Sequence, residues 1–368
     1  MNEQERRAQS LADGPAGTVL LERERGTCCP DGIRTMLSTP VRAHPEQATL
    51  FEGAPAVAFA LAANGPSRAL TTLDGHIETI TRSRLDAAHC RIDHGELPDK
   101  GEYDLMAGLT GLGTYLLRRH GPGPLLRDVL TYLVRLTEPR PDGLPGWWAA
   151  HGPTGAERGW DGGHGNLGIS HGIAGPLALL AQTARAGIHV AGQSHALSRI
   201  LTWLDQWRHD TESGTWWPGV LSRAEHDDGQ AQRQAPPRPS WCYGTPGIAR
   251  AQHLAGLALG DTERQHRTEN TLAGCLADNG QLAQFTDVSL CHGWAGLLHT
   301  TWRMSQHAPR LRAHLPMLIE RLTNRLDEHY SPGAGLLTGE AGARLALHTA
   351  TTDQVPVTRW DACLLLDG

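Results

Sequence analysis

Lysine is almost absent from this chain: Lys100 is the only one among 33 basic residues, and the rest are arginine. A GC-rich coding bias explains that better than any function. No lysine- or arginine-rich block stands out, so nothing marks a nucleic-acid-binding surface. The 39 acidic residues are interspersed with the basic ones and leave a net charge of −6. Long apolar runs are missing too. The longest, residues 55–63, falls far short of the roughly 20 residues a membrane-spanning helix needs. The first seven residues, Met1-Asn2-Glu3-Gln4-Glu5-Arg6-Arg7, are charged and no apolar stretch follows, so they do not read as a secretory signal. A cytoplasmic protein is expected, with any membrane association arising through partners. A disulfide framework is also lacking. Seven cysteines, an odd number at irregular spacing, fit free thiols in a reducing compartment, where each is core filler, a metal ligand or a nucleophile. Sustained alternation of β-branched residues, the mark of strands, is not found.

What the chain has instead is a repeat. Gly-x-x-Gly turns leading into small-residue-rich apolar segments begin at Gly14, Gly108, Gly172, Gly244, Gly293 and Gly339, and Gly53-Ala54-Pro55-Ala56 is a degenerate seventh. The intervals are roughly 40–70 residues, a spacing typical of repeat architectures. After Gly247, Ala251, Leu254, Ala255 and Ala258 follow helical spacing. After Gly175 comes Pro176 at a plausible first helical position. Between the turns lie amphipathic stripes: Leu126, Val129, Leu130, Leu133 and Leu136; Leu197, Ile200, Leu201, Leu204 and Trp207; Leu315, Leu318, Ile319 and Leu322. Each unit therefore reads as an outer helix, a connector, a glycine turn and a buried inner helix. Seven such hairpins stack as an open solenoid or close into a ring. No polar capping repeat is present, so closure is favoured. The expected fold is all-α: an α/α toroid, a double ring of inner and outer helices in seven helical-hairpin repeats, forming one domain over 1–368. Segments 141–166 and 224–239 are rich in glycine, proline and polar residues, and read as long connectors that border the site.

Registering the units on their first glycine locates the chemistry. The residue just before it is Asp13, Glu52, Ala107, His171, Tyr243, His292 and Thr338 in turn, and the residue two before it is Ala12, Phe51, Met106, Ser170, Cys242, Cys291 and Leu337. Equivalent positions of a closed ring share one end, so Cys242, Cys291, His292, His171 and Tyr243 should meet at one mouth of the cavity. Cys242, Cys291 and His292 supply two thiolates and one imidazole. That set suits one zinc ion, leaves its fourth position open, and favours zinc over magnesium or calcium. The competing reading is two core cysteines and a structural histidine, since free cysteine is commonly buried.

His171 is either a core or capping histidine or a general acid/base. Asp104 reads most simply as a helix N-cap, with orientation of His171 as the functional alternative. Arg238, four residues before Cys242, is either a surface arginine or a group that meets a developing anion. Tyr243 either packs or hydrogen-bonds near the metal. Cys28, Cys29, Cys90, Cys275 and Cys363 match no turn position and read as non-catalytic.

The phrases Asn166-Leu167-Gly168-Ile169-Ser170-His171-Gly172-Ile173-Ala174-Gly175-Pro176, Trp241-Cys242-Tyr243-Gly244-Thr245-Pro246-Gly247 and Cys291-His292-Gly293-Trp294-Ala295-Gly296 resemble those of the lanthionine synthetase C-like family, specifically the stand-alone lanthipeptide cyclases of class I pathways. Weaker matches run over 104–111, 335–342 and 360–366. The resemblance implies an α/α toroid with one zinc ion, held by Cys242, Cys291 and His292. It also implies active-site roles for His171, Asp104, Arg238 and Tyr243. The implied reaction adds peptide cysteine thiols to dehydroalanine or dehydrobutyrine, forming (methyl)lanthionine thioether rings. The implied partners are a dehydrated precursor peptide as substrate, and a dehydratase and a transporter in a biosynthetic complex. The second turn departs from the pattern in lacking its second glycine. No kinase-like or dehydratase-like segment is seen, which fits a stand-alone cyclase. The alternatives are another zinc-activated thiol-alkylating transferase, prenyl- or glutathione-transferring, and a non-catalytic zinc-stabilised scaffold that binds a peptide or a dehydratase.

Overall fold

The computed structural model describes residues 3–154, 159–211, 214–328 and 333–368. Residues 155–158 of the first long connector lie outside the described residues. Each glycine turn does open a helix. The seven inner helices among the described residues are Ala16–Glu24, Ala54–Ala62, Leu109–His120, Ala174–Arg185, Thr245–Leu259, Trp294–Ser305 and Glu340–Thr352. Each packs on the next, and the seventh packs on the first, so the ring closes. The outer helices are Glu3–Ala8, Pro30–Met36, Arg68–Asp93, Pro124–Leu136, Gln193–Gln206, Thr262–Ala277 and Leu315–Asp327. The three leucine stripes read from the sequence lie on the fourth, fifth and seventh of these, with Trp207 just past the fifth. Inner helices are apolar nearly all round, as a helix enclosed on every side must be: every residue of Ala54–Leu61 and of Trp294–Ser305 is buried.

Close packing explains the two glycines. The connector folds back so that a carbonyl lies against the first turn of its own inner helix. A Cβ on Gly247 would overlap the Trp241 carbonyl, and one on Gly175 would sit 2.7 Å from that of Ile169. The degenerate second turn keeps only Gly53, at φ +69°, where a side chain is strained.

A belt of backbone hydrogen bonds joins the turns. The N–H of Ser170 donates to Cys242 C=O (3.4 Å), that of Cys242 to Cys291 (3.2 Å), that of Cys291 to Leu337 (3.0 Å) and that of Leu337 to Ala12 (2.9 Å). All are the residue two before the first glycine, so the sequence register is the spatial register. One residue out of step, Leu11 donates to Phe51 (2.9 Å) and Leu105 to Ser170 (3.2 Å). Between the second and third turns Arg84 spans the gap, donating to the carbonyls of Pro45 (2.7 Å), Ala48 (3.1 Å) and Ala107.

The opposite end of the ring is filled by the C-terminal segment, where residues 360–366 are all buried. Asp361 accepts from His299 Nε2 (2.6 Å) and Arg303 Nε (2.5 Å), and Arg250 donates to the Leu366 carbonyl (2.7 Å). Trp241 Nε1 reaches down to the Leu364 carbonyl (3.0 Å), tying this floor to the fifth turn. The ring is thus a cup with one mouth. The weak strand signal is matched, among the described residues, by four three-residue strands in two antiparallel pairs. His164–Asn166, at the end of the first long connector, pairs with Val220–Ser222, which leads into the second, beside the mouth. The second connector also holds a short helix, Arg223–Asp228, with a Ser222/Glu225 capping box. No described helix is long and apolar enough to cross a membrane.

Candidate active site at the mouth of the ring

The third and fourth turns build a His–Asp pair. Asp104, with 1% of its side chain exposed, lies just past the short helix Lys100–Tyr103. Its Oδ1 accepts the N–H groups of Ala107 (2.6 Å) and Gly108 (2.9 Å), and its Oδ2 lies 2.6 Å from Nδ1 of His171. It is therefore not the helix N-cap that sequence suggested, since Gly108 takes that place without a side-chain cap; its carboxylate instead ties the turn before the helix and reaches His171. A carboxylate only accepts, so in the neutral imidazole the proton sits on Nδ1 and the lone pair on Nε2. The imidazole is 32% exposed at the mouth.

Tyr243 stacks on His171, with centroids 6.1 Å apart and planes at 29°. Its hydroxyl accepts from Asn166 Nδ2 (3.4 Å), and burial pushes its pKa up to about 12, so it stays a neutral phenol. Gly168 and Gly219 make room for the ring: a Cβ on either would press on it.

The fifth and sixth turns bring two thiols together. The Cys242 N–H donates to the Cys291 carbonyl (3.2 Å), and the Cys242 thiol lies 3.5 Å from Ser240 Oγ. The neighbouring Cys291 thiol draws Cys242 down to about 7, with help from Ser240 and the charge of Arg238, while the Cys291 thiol is pushed up. Arg238 is half-buried and makes no side-chain hydrogen bond or ion pair among the described residues, so its charge remains available.

His292 is neutral at pH 7, because burial and Arg238 depress its pKa against the opposing pull of Asp287. Its Nε2 lies 3.3 Å from Asp287 Oδ2. Among the described residues no group of three His, Cys, Asp or Glu side chains forms a ready metal cage. The donor chemistry nevertheless fits zinc: two thiols on residues joined by a backbone hydrogen bond, and an imidazole of lowered pKa on the adjacent residue.

All seven residues singled out from sequence thus lie on the third to sixth turns. Two polar partners were missed, Asn166 and Asp287. Both stand six residues before their first glycine, as Arg238 does in the fifth turn, so extending the register four positions upstream would have found them. Of the remaining cysteines, Cys275 is buried with its thiol pushed up to about 12, Cys363 is buried and shifted the same way, Cys28 and Cys90 are exposed, and Cys29 lines a cavity beside Asp13 and Gly14 of the first turn.

A closed ring of helical hairpins with a thiol pair and a His–Asp pair on one rim defines a class of α/α-toroid protein. The family model for lanthionine synthetase C-like protein matches residues 28–365, and the chain belongs to this family. It is 23% identical over 312 residues to the nisin biosynthesis protein NisC of Lactococcus lactis subsp. lactis, covering 81% of this chain and 71% of that protein. A solved structure of nisin cyclase superposes with a TM-score of 0.83 at 21% identity, covering 98% of this chain and 92% of that one. The fold is therefore the α/α toroid expected from the repeat.

Proposed function

We propose that this chain is a lanthipeptide cyclase. It adds cysteine thiols of a dehydrated precursor peptide to dehydroalanine or dehydrobutyrine, forming lanthionine or methyllanthionine. The observation that carries the reading is the pairing of two neighbouring thiols with an oriented His–Asp pair across one belt of backbone hydrogen bonds, in a chain of this family. Cys242, Cys291 and His292 would hold one zinc ion, which when bound lowers the pKa of a substrate thiol.

The chain's own groups account for the rest. Addition joins the peptide sulfur to the β-carbon, and the proton lost by the thiol must end on the α-carbon. His171 is suited to move it: Asp104 holds Nδ1–H, so Nε2 faces the mouth as acceptor and, once protonated, as donor. Asp104 stabilises the imidazolium formed in between. The enolate oxygen carries negative charge until the α-carbon is protonated. Arg238 and the neutral Tyr243 hydroxyl supply a cation and a hydrogen-bond donor there. Because Asn166 donates to Tyr243, the phenol proton is free to point away from it.

A dehydratase would supply this substrate and a transporter would take the product, as partners. The test is reaction of the purified chain with a dehydrated peptide, followed by counting alkylatable thiols, since cyclisation leaves mass unchanged. Alanine at Cys242, Cys291 or His292 should remove zinc and thiol consumption together. A zinc-free variant that still consumes thiols above background refutes the mechanism.

A further inference from the structure

Asp287 occupies the same place in the sixth turn as Asn166 in the fourth. Both side-chain Oδ1 atoms accept the N–H two residues on, from Ser289 (2.8 Å) and Gly168 (3.2 Å). Both backbone carbonyls accept the N–H seven residues on, from Trp294 (3.2 Å) and Ile173 (2.9 Å). In both, the first glycine is needed because a Cβ would run into that Oδ1, at 2.5 Å for Gly172 and closer still for Gly293. The turn thus clamps one polar side chain, leaving its second polar atom to aim elsewhere. In the fourth turn Nδ2 of Asn166 aims at Tyr243. In the sixth, Oδ2 of Asp287 aims at His292 Nε2, 3.3 Å away, with 12% of the carboxyl side chain exposed. The His292 backbone is fixed too: its N–H donates to Ser289 Oγ (3.2 Å).

We propose that Asp287 is a positioning residue for a metal ligand: its carboxylate keeps the proton of His292 on Nε2 and so presents Nδ1 as the donor atom. The inference rests on the reading of Cys242, Cys291 and His292 as zinc ligands. Its physical basis is that a ligating imidazole needs one bare nitrogen, and a carboxylate at the other fixes which one and raises its basicity. Nδ1 has no recorded hydrogen-bond partner among the described residues, which leaves it available.

The test is zinc affinity, measured by competition with a chromophoric chelator on the purified full chain and on two variants, alongside thermal melting of the metal-free proteins. Asp287→Asn is the informative substitution. Its Oδ1 still takes the Ser289 N–H, so the turn survives. Its NH2 now faces Nε2 and forces the proton onto Nδ1, the atom meant to bind. Asp287→Ala removes the carboxylate without imposing the wrong tautomer. The expected result is zinc binding weakened by about 10- to 100-fold in Asp287→Asn, at least as much as in Asp287→Ala, while Asp287→Asn melts closer to the parent. A merely structural role predicts the reverse order, with Asn nearly neutral and Ala damaging. Parent-like zinc affinity in Asp287→Asn overturns the proposal and leaves the zinc reading intact. A parent chain that binds no zinc overturns both.

Discussion

Replacing Asp104 by Asn tests the proposed chemistry with the least disturbance to the fold. Asp104 is an acceptor on all sides, taking the N–H groups of Ala107 and Gly108 on Oδ1 and that of His171 on Oδ2. An asparagine carbonyl can keep both backbone bonds. Its NH2 then replaces Oδ2 and donates towards His171, which must accept at Nδ1 and move its own proton to Nε2. The group facing the mouth changes from acceptor to donor, and it can no longer take a thiol proton. Positioned acid–base catalysis contributes roughly 10²–10⁴-fold in rate, or about 2.7–5.4 kcal/mol of barrier at 1.36 kcal/mol per decade. Loss of that order is expected in Asp104→Asn under single-turnover conditions, read as the rate at which peptide thiols become resistant to alkylation. Zinc content should stay that of the parent, because Asp104 touches no proposed ligand. The two residues act as one unit, so Asp104→Asn combined with His171→Ala should be no slower than His171→Ala alone. A parent-like rate in Asp104→Asn, or a loss that tracks metal content, refutes the assignment.

Three further substitutions probe the frame. Gly296→Ala places a Cβ on the Leu290 carbonyl. It should cost on the order of 3 kcal/mol, as overpacking of a rigid interior does, visible as a lower urea midpoint. Asp361→Asn strands the guanidinium of Arg303 in the floor of the ring, and removing one partner of a buried ion pair costs about 3–5 kcal/mol. That contribution has a defined pH window. Burial alone would raise the Asp361 pKa, but the Arg303 charge and the His299 hydrogen bond hold it below the ordinary carboxylate value. A depressed folded-state pKa gives stability that is present above the unfolded value and lost as pH falls, so the gap between parent and variant should close in acid. A gap constant down to pH 2 refutes this. Tyr243→Phe removes one donor to the enolate and should slow thiol consumption by about 10-fold or more without altering zinc content; an unchanged rate would place the anion with Arg238 alone.

The ring was legible because its geometry demands glycine at two fixed places. Where a carbonyl must lie on the first turn of a helix no other residue fits, so Gly244 and Gly247, or Gly293 and Gly296, stand out in the sequence. The belt through Cys242, Cys291, Leu337 and Ala12 shows why that register also predicts space: the aligned residues are hydrogen-bonded neighbours. Other features left no comparable trace. Strands of three residues are too short for an alternating pattern, so the clamp of His164–Asn166 on Val220–Ser222 was invisible. The helix Arg223–Asp228 lies in a polar connector and buries nothing. The first two outer helices, of six and seven residues, carry no stripe long enough to read. Asp287 looks like any loop aspartate until the turns are overlaid six residues ahead of the glycine. The C-terminal segment gave a phrase, Trp360 to Leu366, but its role as a floor depends on side chains from several inner helices at once.

Among the described residues two His–Asp pairs are 2.6 Å long, and the rim pair is the one placed for the proposed chemistry. His171 and Asp104 are 2.6 Å apart on the rim, and so are His299 and Asp361 in the floor. The floor pair is fully buried, with Arg303 on the same carboxylate and Trp302 and Trp360 around the imidazole. No substrate reaches it, and its charge is spent holding the C-terminal segment. At the rim the carboxylate is as deeply buried, but a third of the imidazole is open, with Tyr243 against one face and the thiol pair in the adjoining turns. On the proposed function, a substrate peptide cannot thread through a cup closed at its base. It would present a thiol across the open mouth and withdraw by the same route. The placement follows from the repeat: each inner helix starts at the rim, so the loops before the glycines are a set of equivalent positions on one mouth. His299→Gln should therefore lower the melting temperature and leave the single-turnover rate of the folded protein unchanged, whereas His171→Gln should do the opposite.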